Sequence, residues 1–279
     1  MPGVPVYLRR SQRIQVAAQP PLSVRTAKVT AITASRDRYC LTVAMSMKLQ
    51  RMARFARDLV TVPAVRRSSW LRVSRPKNLF QPYNDTSEDR YPEVFTWLQR
   101  EIEDSESVRL MSFGCSVGDE VFSLRHYFPG AHIVGIDISR GNISECRRRQ
   151  LRQGDQRMRF LRASSSDHEP DDHYDAVLCM AVLRYGDLGR SRPSSCKDYI
   201  TFEAFDMTVG QLARCLKAGG YLVIEHSNFR FSDSSCANRF DVVAKRKLPV
   251  RGRPTPLYGP DDLLLLDQEY EEIIFRKLR

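Results

Sequence analysis

No stretch of this sequence is apolar for anything near the ~18 residues of a membrane-spanning helix; the longest apolar run, Ala176 to Leu183, fits a buried strand. A protein that crosses a bilayer by helices is therefore excluded. C-x-x-C pairs are also missing: the seven cysteines are scattered, which excludes the usual zinc spacing and argues against a disulfide framework. Acids are almost absent from one part of the chain. Residues 1 to 77 hold 16 Lys+Arg and only Asp37 and Asp58, leaving 28 bases and 31 acids for the remainder. The net charge of +11 over 279 residues is thus a +14 extension on a body of net −3, and it says little about the body's ligand. With 42% apolar and 28% charged residues, wholesale disorder is excluded as well.

The basic stretch from Met1 to about Thr61 has one helical signal, in which Met52, Phe55, Ala56 and Leu59 alternate with Arg51, Arg54 and Arg57. It reads as a solvated tail, an organellar transit peptide, a segment for an anionic surface, or a mis-called start with Met45 or Met47 as the true first residue. Nucleic acid is an expected partner only through this extension. Firm helical spacing runs from Asp89 to Ile102 through Tyr91, Val94, Phe95, Leu98 and Ile102, after a Pro- and Asn-punctuated lead-in over 76–83. The expected organisation is a poorly structured extension over 1–78 and one domain over 79–279. A cytoplasmic location is expected, or an organellar one if the extension is a transit peptide.

From Val108 the pattern alternates. Strands are expected at Val108–Phe113, Ile133–Ile136, Met158–Leu161, Tyr174–Met180 and Tyr221–Glu225, with late candidates at Phe240–Ala244 and Glu271–Lys277. Helices fall between them. Val117, Val121, Leu124 and Phe128 mark one, Asn142 to Arg152 a second, and Phe202, Phe205, Val209, Leu212 and Leu216 the cleanest. Lys217-Ala218-Gly219-Gly220 is expected to end that last helix with a left-handed glycine cap. This order predicts an α/β fold, a Rossmann-like, doubly wound and mostly parallel seven-stranded sheet with helices on both faces, whose ligand lies at the carboxyl ends of the first strands.

Gly114, Ser116 and Gly118 fall in the first strand-to-helix turn, where small residues let a ligand approach the backbone. Asp137 closes the next strand about 20 residues on, where an acid can bond the two ribose hydroxyls of a nucleoside or cap the following helix. A dinucleotide turn would need glycine where this chain has Ser116 and Asp119. Asp119 and Glu120 would oppose a pyrophosphate but suit a ligand with an ammonium and a sulfonium, and they also suit a helix N-terminus. S-adenosylmethionine combines both cations with an adenosine.

At these residues the sequence resembles a family. Ser112-Phe113-Gly114-Cys115-Ser116-Val117-Gly118-Asp119-Glu120, followed by Phe122-Ser123-Leu124, resembles motif I of class I S-adenosylmethionine-dependent methyltransferases, most closely the chemotaxis receptor glutamate methyltransferases. Val134 to Ser139, Tyr174 to Tyr185 and Leu216 to Ile224 are similar to later segments of that family, in order. The resemblance implies S-adenosylmethionine as cofactor. It implies Gly114, Ser116 and Gly118 on the methionine and ribose side, Asp119 on the ammonium and Asp137 on the ribose. Cys115, Ile138, Cys179 and Met180 would stand beside them, with Ser165, Ser166 or Asp167 framing the adenine. The receptor enzymes carry Asn where this chain has Ala181, and their N-terminal helical domain has no counterpart here. The cofactor is therefore carried over and the receptor substrate is not.

The expected activity is methyl transfer to an unidentified small molecule or protein side chain, and the rival is a non-catalytic binding protein of the same fold. Arg184, Tyr185 and His226 fall at the ends of the fourth and fifth strands, where an acceptor belongs, and none is assigned a catalytic role. Gly114-Cys115-Ser116-Val117-Gly118 also spells a hydrolase nucleophile elbow, with Asp206 and His226 to complete a triad. Asp167, His168, Asp171, Asp172 and His173 read as a solvated loop rather than a metal site, and no metal is expected. Arg147 to Arg149 read as an exposed helix face.

Overall fold

The computed structural model describes residues 47, 49–74, 76, 78–84, 86–246, 255–266 and 270–279. The chain divides into two units, Met1–Asp58 and Leu59–Arg279. In the first, residues 49–58 are helical, with Leu49, Met52 and Phe55 exposed. The expectations for residues 1–46 lie outside the described residues. The second unit begins twenty residues ahead of the boundary expected near 78, because helix α1 (Pro63–Ser74) packs with it through buried Leu71. Among the described residues, no helix is long and apolar enough to cross a membrane.

The second unit then runs α2 (Pro92–Glu101), β1 (Arg109–Phe113), α3 (Asp119–Tyr127), β2 (His132–Asp137), α4 (Arg140–Gln153), β3 (Met158–Arg162) and β4 (Tyr174–Met180). A short α5 (Leu188–Ser191), α6 (Phe202–Cys215), β5 (Leu216–Glu225), β6 (Phe240–Lys245) and β7 (Glu272–Lys277) complete it. The sheet has seven strands in the order β3-β2-β1-β4-β5-β7-β6. Pairing is parallel from β3 through β5, and β7 is antiparallel to both β5 and β6. Strand order reverses between β1 and β4, so the loops above those two strands diverge and leave a crevice.

The core lies in two layers because strand side chains alternate between the faces of the sheet. Met111, Val134, Val177, Cys179, Leu222 and Ile224 face α6 with its buried Phe205, Val209 and Leu212. Leu110, Ile133, Phe160, Leu178 and Val223 face α2, α3 and α4. Burial of the three α6 side chains contributes roughly 1.5–3 kcal/mol each, which outweighs any helix propensity of that segment. Thr201 caps the helix, its side chain accepting from the Ala204 amide.

One junction differs from the sequence expectation. The expected glycine cap is absent because α6 ends at Cys215 and Leu216 is already extended and paired with Tyr174. Gly219 does take a left-handed φ of 80°, but inside β5, where the register shifts between Tyr174 and Ala176. The bulge presses Gly220 onto the sheet, where a Cβ would meet the carbonyl oxygens of Tyr174 and Asp175 at 3.1 Å.

Candidate active site

The crevice holds a cavity of about 390 Å³, within the range of small-molecule sites. Its floor is made by the ends of β1, β2 and β4, through Phe113, Gly114, Ile136, Asp137 and Met180. The wall opposite comes from α1 through Leu71, from the 78–91 segment, and from the loop after β4.

The turn after β1 is held against β2 by amides rather than side chains. Gly114 and Cys115 both donate their N–H to the Ile136 carbonyl, at 2.8 and 2.9 Å. Gly114 has φ 76°, and a Cβ there would stand 2.3 Å from Val182 Cγ2 across the cavity edge, so only glycine fits. Ser116 is also left-handed, which turns its amide toward Asp137 Oδ2 at 2.9 Å. Asp137 accepts twice more, from the Ser139 amide at 2.8 Å and Asn142 Nδ2 at 3.1 Å. Helix capping falls to Ser139, whose side chain accepts from the Asn142 amide, leaving Asp137 on the cavity wall. Burial pushes the Asp137 carboxyl up to about 6 against the pull of those hydrogen bonds.

A second carboxylate lines the same cavity. Glu120, in the first turn of α3, lines the cavity and is pushed up to about 7 by burial, opposed by Ser112 and by Arg90 at the rim. Beside it, Tyr91 is pushed up to about 12 by burial, and its Oη has no hydrogen-bond partner among the described residues. Gln81 Oε1 and Asn84 Nδ2 on the same wall are likewise buried without partners. Buried polar atoms without partners are costly, so three around one cavity mark a wall built to meet a polar ligand.

Residues 111–222, about two fifths of the chain, match the model of a family described as a methyltransferase domain. The chain is 26% identical over 129 residues to the fatty-acid O-methyltransferase of Mycolicibacterium smegmatis, covering 46% of this chain and 40% of the relative. It therefore spans about two fifths of the length of that curated protein. Among solved structures, it is similar to phosphoethanolamine N-methyltransferase 2 of Haemonchus contortus in complex with phosphomonomethylethanolamine and S-adenosylhomocysteine. There the identity is 18%, the TM-score 0.38, and the coverage 51% of this chain and 29% of the other. For the YcgJ protein of Bacillus subtilis the values are 13%, 0.42, 68% and 100%.

In the matched segment, Gly114, Cys115, Ser116, Asp137, Ile138 and Met180 all line the cavity. Other residues singled out from the sequence do not. Gly118, with φ 92°, stands at the N-terminus of α3 behind the floor, and Cys179 is fully buried in the α6-facing layer of the sheet. Asp119 is turned outward to Arg149 Nη1 at 2.5 Å, so the acid in the cavity is its neighbour. Ser166 is buried near Arg214, whose Nη2 donates to the Ser166 carbonyl, and Asp167 is exposed. Ala163 and Ser164, immediately after β3, line the cavity in their place.

Arg149 also departs from its expected exposed position. It bonds Asp119 and Glu88 and lies 4.2 Å over the Phe122 ring, drawn in by the acid that α3 presents. The hydrolase constellation is not assembled. Ser116 Oγ faces Asn84, Asp206 accepts from Ser235, and His226 lies beside Tyr91 and Glu225.

The segment 78–91 is the part of the cavity that sequence patterning missed. Ahead of the helical spacing that begins near Asp89 it has no periodicity, so the only available signal was its mixture of Asn, Gln, Tyr and Phe beside a boundary.

Backbone strain collects at the same strand ends. Ser116 after β1, Ala181 after β4 and His226 after β5 all have positive φ, at 51°, 58° and 56°. Ala181 lines the cavity and tolerates this region poorly, whereas Asn or Gly adopts it at little cost. Ala181→Gly is expected to stabilise the protein by about 0.5–1 kcal/mol, read as a raised Tm without cofactor. An unchanged or lowered Tm would mean that the surrounding contacts have already absorbed the strain.

Proposed function

We propose that this chain transfers a methyl group from S-adenosylmethionine to an acceptor held in the same cavity. The observation that carries the reading is the pair of carboxylates, Asp137 and Glu120, that line one cavity beside a glycine turn. A ligand that satisfies both needs a vicinal diol at one end and a cation at the other.

The residues present fit S-adenosylmethionine. Asp137 would accept from the ribose hydroxyls, and the Gly114–Ser116 turn leaves room for the ribose to approach the backbone. Ile138, Ala163 and Ser164 form the wall expected to frame the adenine. Glu120 would hold the ammonium. The resemblance of residues 112–124 to motif I of the receptor methyltransferases supports acids beside this turn, while Ala181 supports no receptor substrate. When bound, the sulfonium supplies an activated methyl group. The protein's contribution is to orient both partners and exclude water, which the wall of α1 and residues 78–91 is placed to do.

Calorimetry across pH tests this. Both carboxyls must be ionised to receive the cofactor, and in the free protein they ionise only near 6 and 7. Binding at lower pH must first remove those protons. S-adenosylmethionine affinity is therefore expected to be level above pH 8, to fall about tenfold per unit below pH 7, and to fall more steeply below pH 6. A flat profile would remove Glu120 and Asp137 from the site. No binding at pH 8 would remove the cofactor.

A further inference from the structure

The segment between α1 and α2 meets the glycine turn through Asn84, whose Oδ1 lies 3.5 Å from Ser116 Oγ. Resting on the reading above, we propose that Asn84 is a second ribose residue, its Nδ2 donating to an oxygen of the same hydroxyl pair whose protons Asp137 accepts. Asn84 stands ahead of residues 111–222, so the match to the family model assigns it nothing.

A chain of hydrogen bonds fixes which way the Asn84 carboxamide points. Asp137 Oδ1 accepts from the Ser139 amide at 2.8 Å, so it is an acceptor, and Asn142 must turn its nitrogen toward it, at 3.1 Å. The same Asn142 Nδ2 lies 3.0 Å from the Asn84 side chain, which must therefore present its oxygen. Ser116 Oγ donates to that oxygen as well. The Asn84 nitrogen is left outside this network. It is buried without a hydrogen-bond partner among the described residues, on a residue that lines the cavity. An enclosed N–H without an acceptor is unfavourable in the free protein, and an arriving acceptor recovers that free energy.

The neighbourhood of Asp137 decides what kind of acceptor it is. One nitrogen bonds an oxygen of each residue, at 3.0 and 3.1 Å, so a group seated on Asp137 is within reach of Asn84. An anion would suit the Asn84 donor but oppose the carboxylate, and an ammonium would suit the carboxylate but oppose the donor. A hydroxyl suits both, because it gives one proton and accepts on its lone pairs. Two adjacent hydroxyls, as on a ribose, use the whole arrangement: Asp137 takes their protons and Asn84 donates to one of their oxygens. Asn84 belongs to the segment before α2 and Asp137 to the end of β2, so a ribose held between them bridges two parts of the cavity that are 53 residues apart in sequence.

The experiment uses the full chain at pH 8 and calorimetry with two ligands, S-adenosylhomocysteine and 5′-methylthioadenosine, which keeps the adenosine and the thioether but lacks the amino-acid end. If the wild type binds neither, the proposed function fails and this assignment with it. Given wild-type binding, Asn84→Ala is expected to weaken both ligands by the same factor, about 5- to 10-fold, the scale of one hydrogen bond between uncharged groups. Asn84→Asp keeps the oxygen that Asn142 and Ser116 donate to and removes the donor. It should bind both ligands no better than Asn84→Ala, and it decides the matter if Asn84→Ala does not fold. Wild-type affinity in both variants, or a loss confined to S-adenosylhomocysteine, would take Asn84 off the ribose while leaving the cofactor in place. Recovery of both affinities in Asn84→Asp would make Asn84 a support of the turn and overturn the assignment as well.

Discussion

Glu120→Gln is expected to weaken S-adenosylmethionine binding by about 100-fold at pH 8, the scale of losing one charged hydrogen-bonded pair in a recessed site. The same substitution should raise the stability of the free protein. Glu120 has a folded-state pKa raised to about 7 by burial, so the native state keeps this proton to higher pH than the unfolded chain does. Its contribution to stability is complete below about pH 4 and is lost as pH rises through 7. Glutamine has no proton to lose. The Tm of Glu120→Gln should therefore match the wild type near pH 4 and exceed it by a gap that widens between pH 5 and 8. Added S-adenosylmethionine should reverse the order, because only the wild type gains a cation partner. Thermal scans at three pH values, with and without cofactor, check all of this. A variant that binds normally, or one destabilised at pH 8, would place the ammonium elsewhere.

Asp137→Ala is expected to abolish measurable cofactor binding and also to destabilise the fold, in contrast to Glu120→Gln. Asp137 is 8% exposed and accepts from the Ser116 and Ser139 amides and from Asn142 Nδ2. Truncation leaves three donors without their acceptor, at about 1 kcal/mol or more each, and frees the left-handed turn at Ser116 that they hold. A loss of about 3 kcal/mol corresponds to roughly 6–12 °C in Tm for a unit of this size. Asp137→Asn tells the two roles apart. Asparagine retains one acceptor oxygen and should recover most of the Tm, but its amide meets donors and gives the ribose a weaker partner, so affinity should stay at least tenfold down. Equal recovery of Tm and affinity would mean that Asp137 supports the turn without touching the ligand.

The outward turn of Asp119 and the inward turn of Glu120 show why two adjacent acids could not be told apart in advance. Successive helix residues point about 100° apart, so one of any such pair faces away from a given site. Which one does so depends on the rotation of α3, and that is set by Val121, Phe122 and Leu124 seating on the sheet. Once α3 is seated, Arg149 on α4 is positioned to take Asp119. Ser166 falls outside the cavity for a similar reason. Ser166 is as small and polar as Ser164, but β3 ends at Arg162 and the chain leaves the cavity within three residues, carrying Ser166 toward Arg214.

The sequence by itself determined the succession of strands and helices, the glycine turn after β1 and the acid at the end of β2. Period-2 runs, helical stripes and turn residues are local signals, and a doubly wound, mostly parallel sheet follows from their order. Only the tertiary structure decided which acid enters the cavity and that α1 and the segment before α2 line it. Those are matters of helix rotation and long-range packing, where residues distant in the chain fix one another's direction and no local pattern records the result.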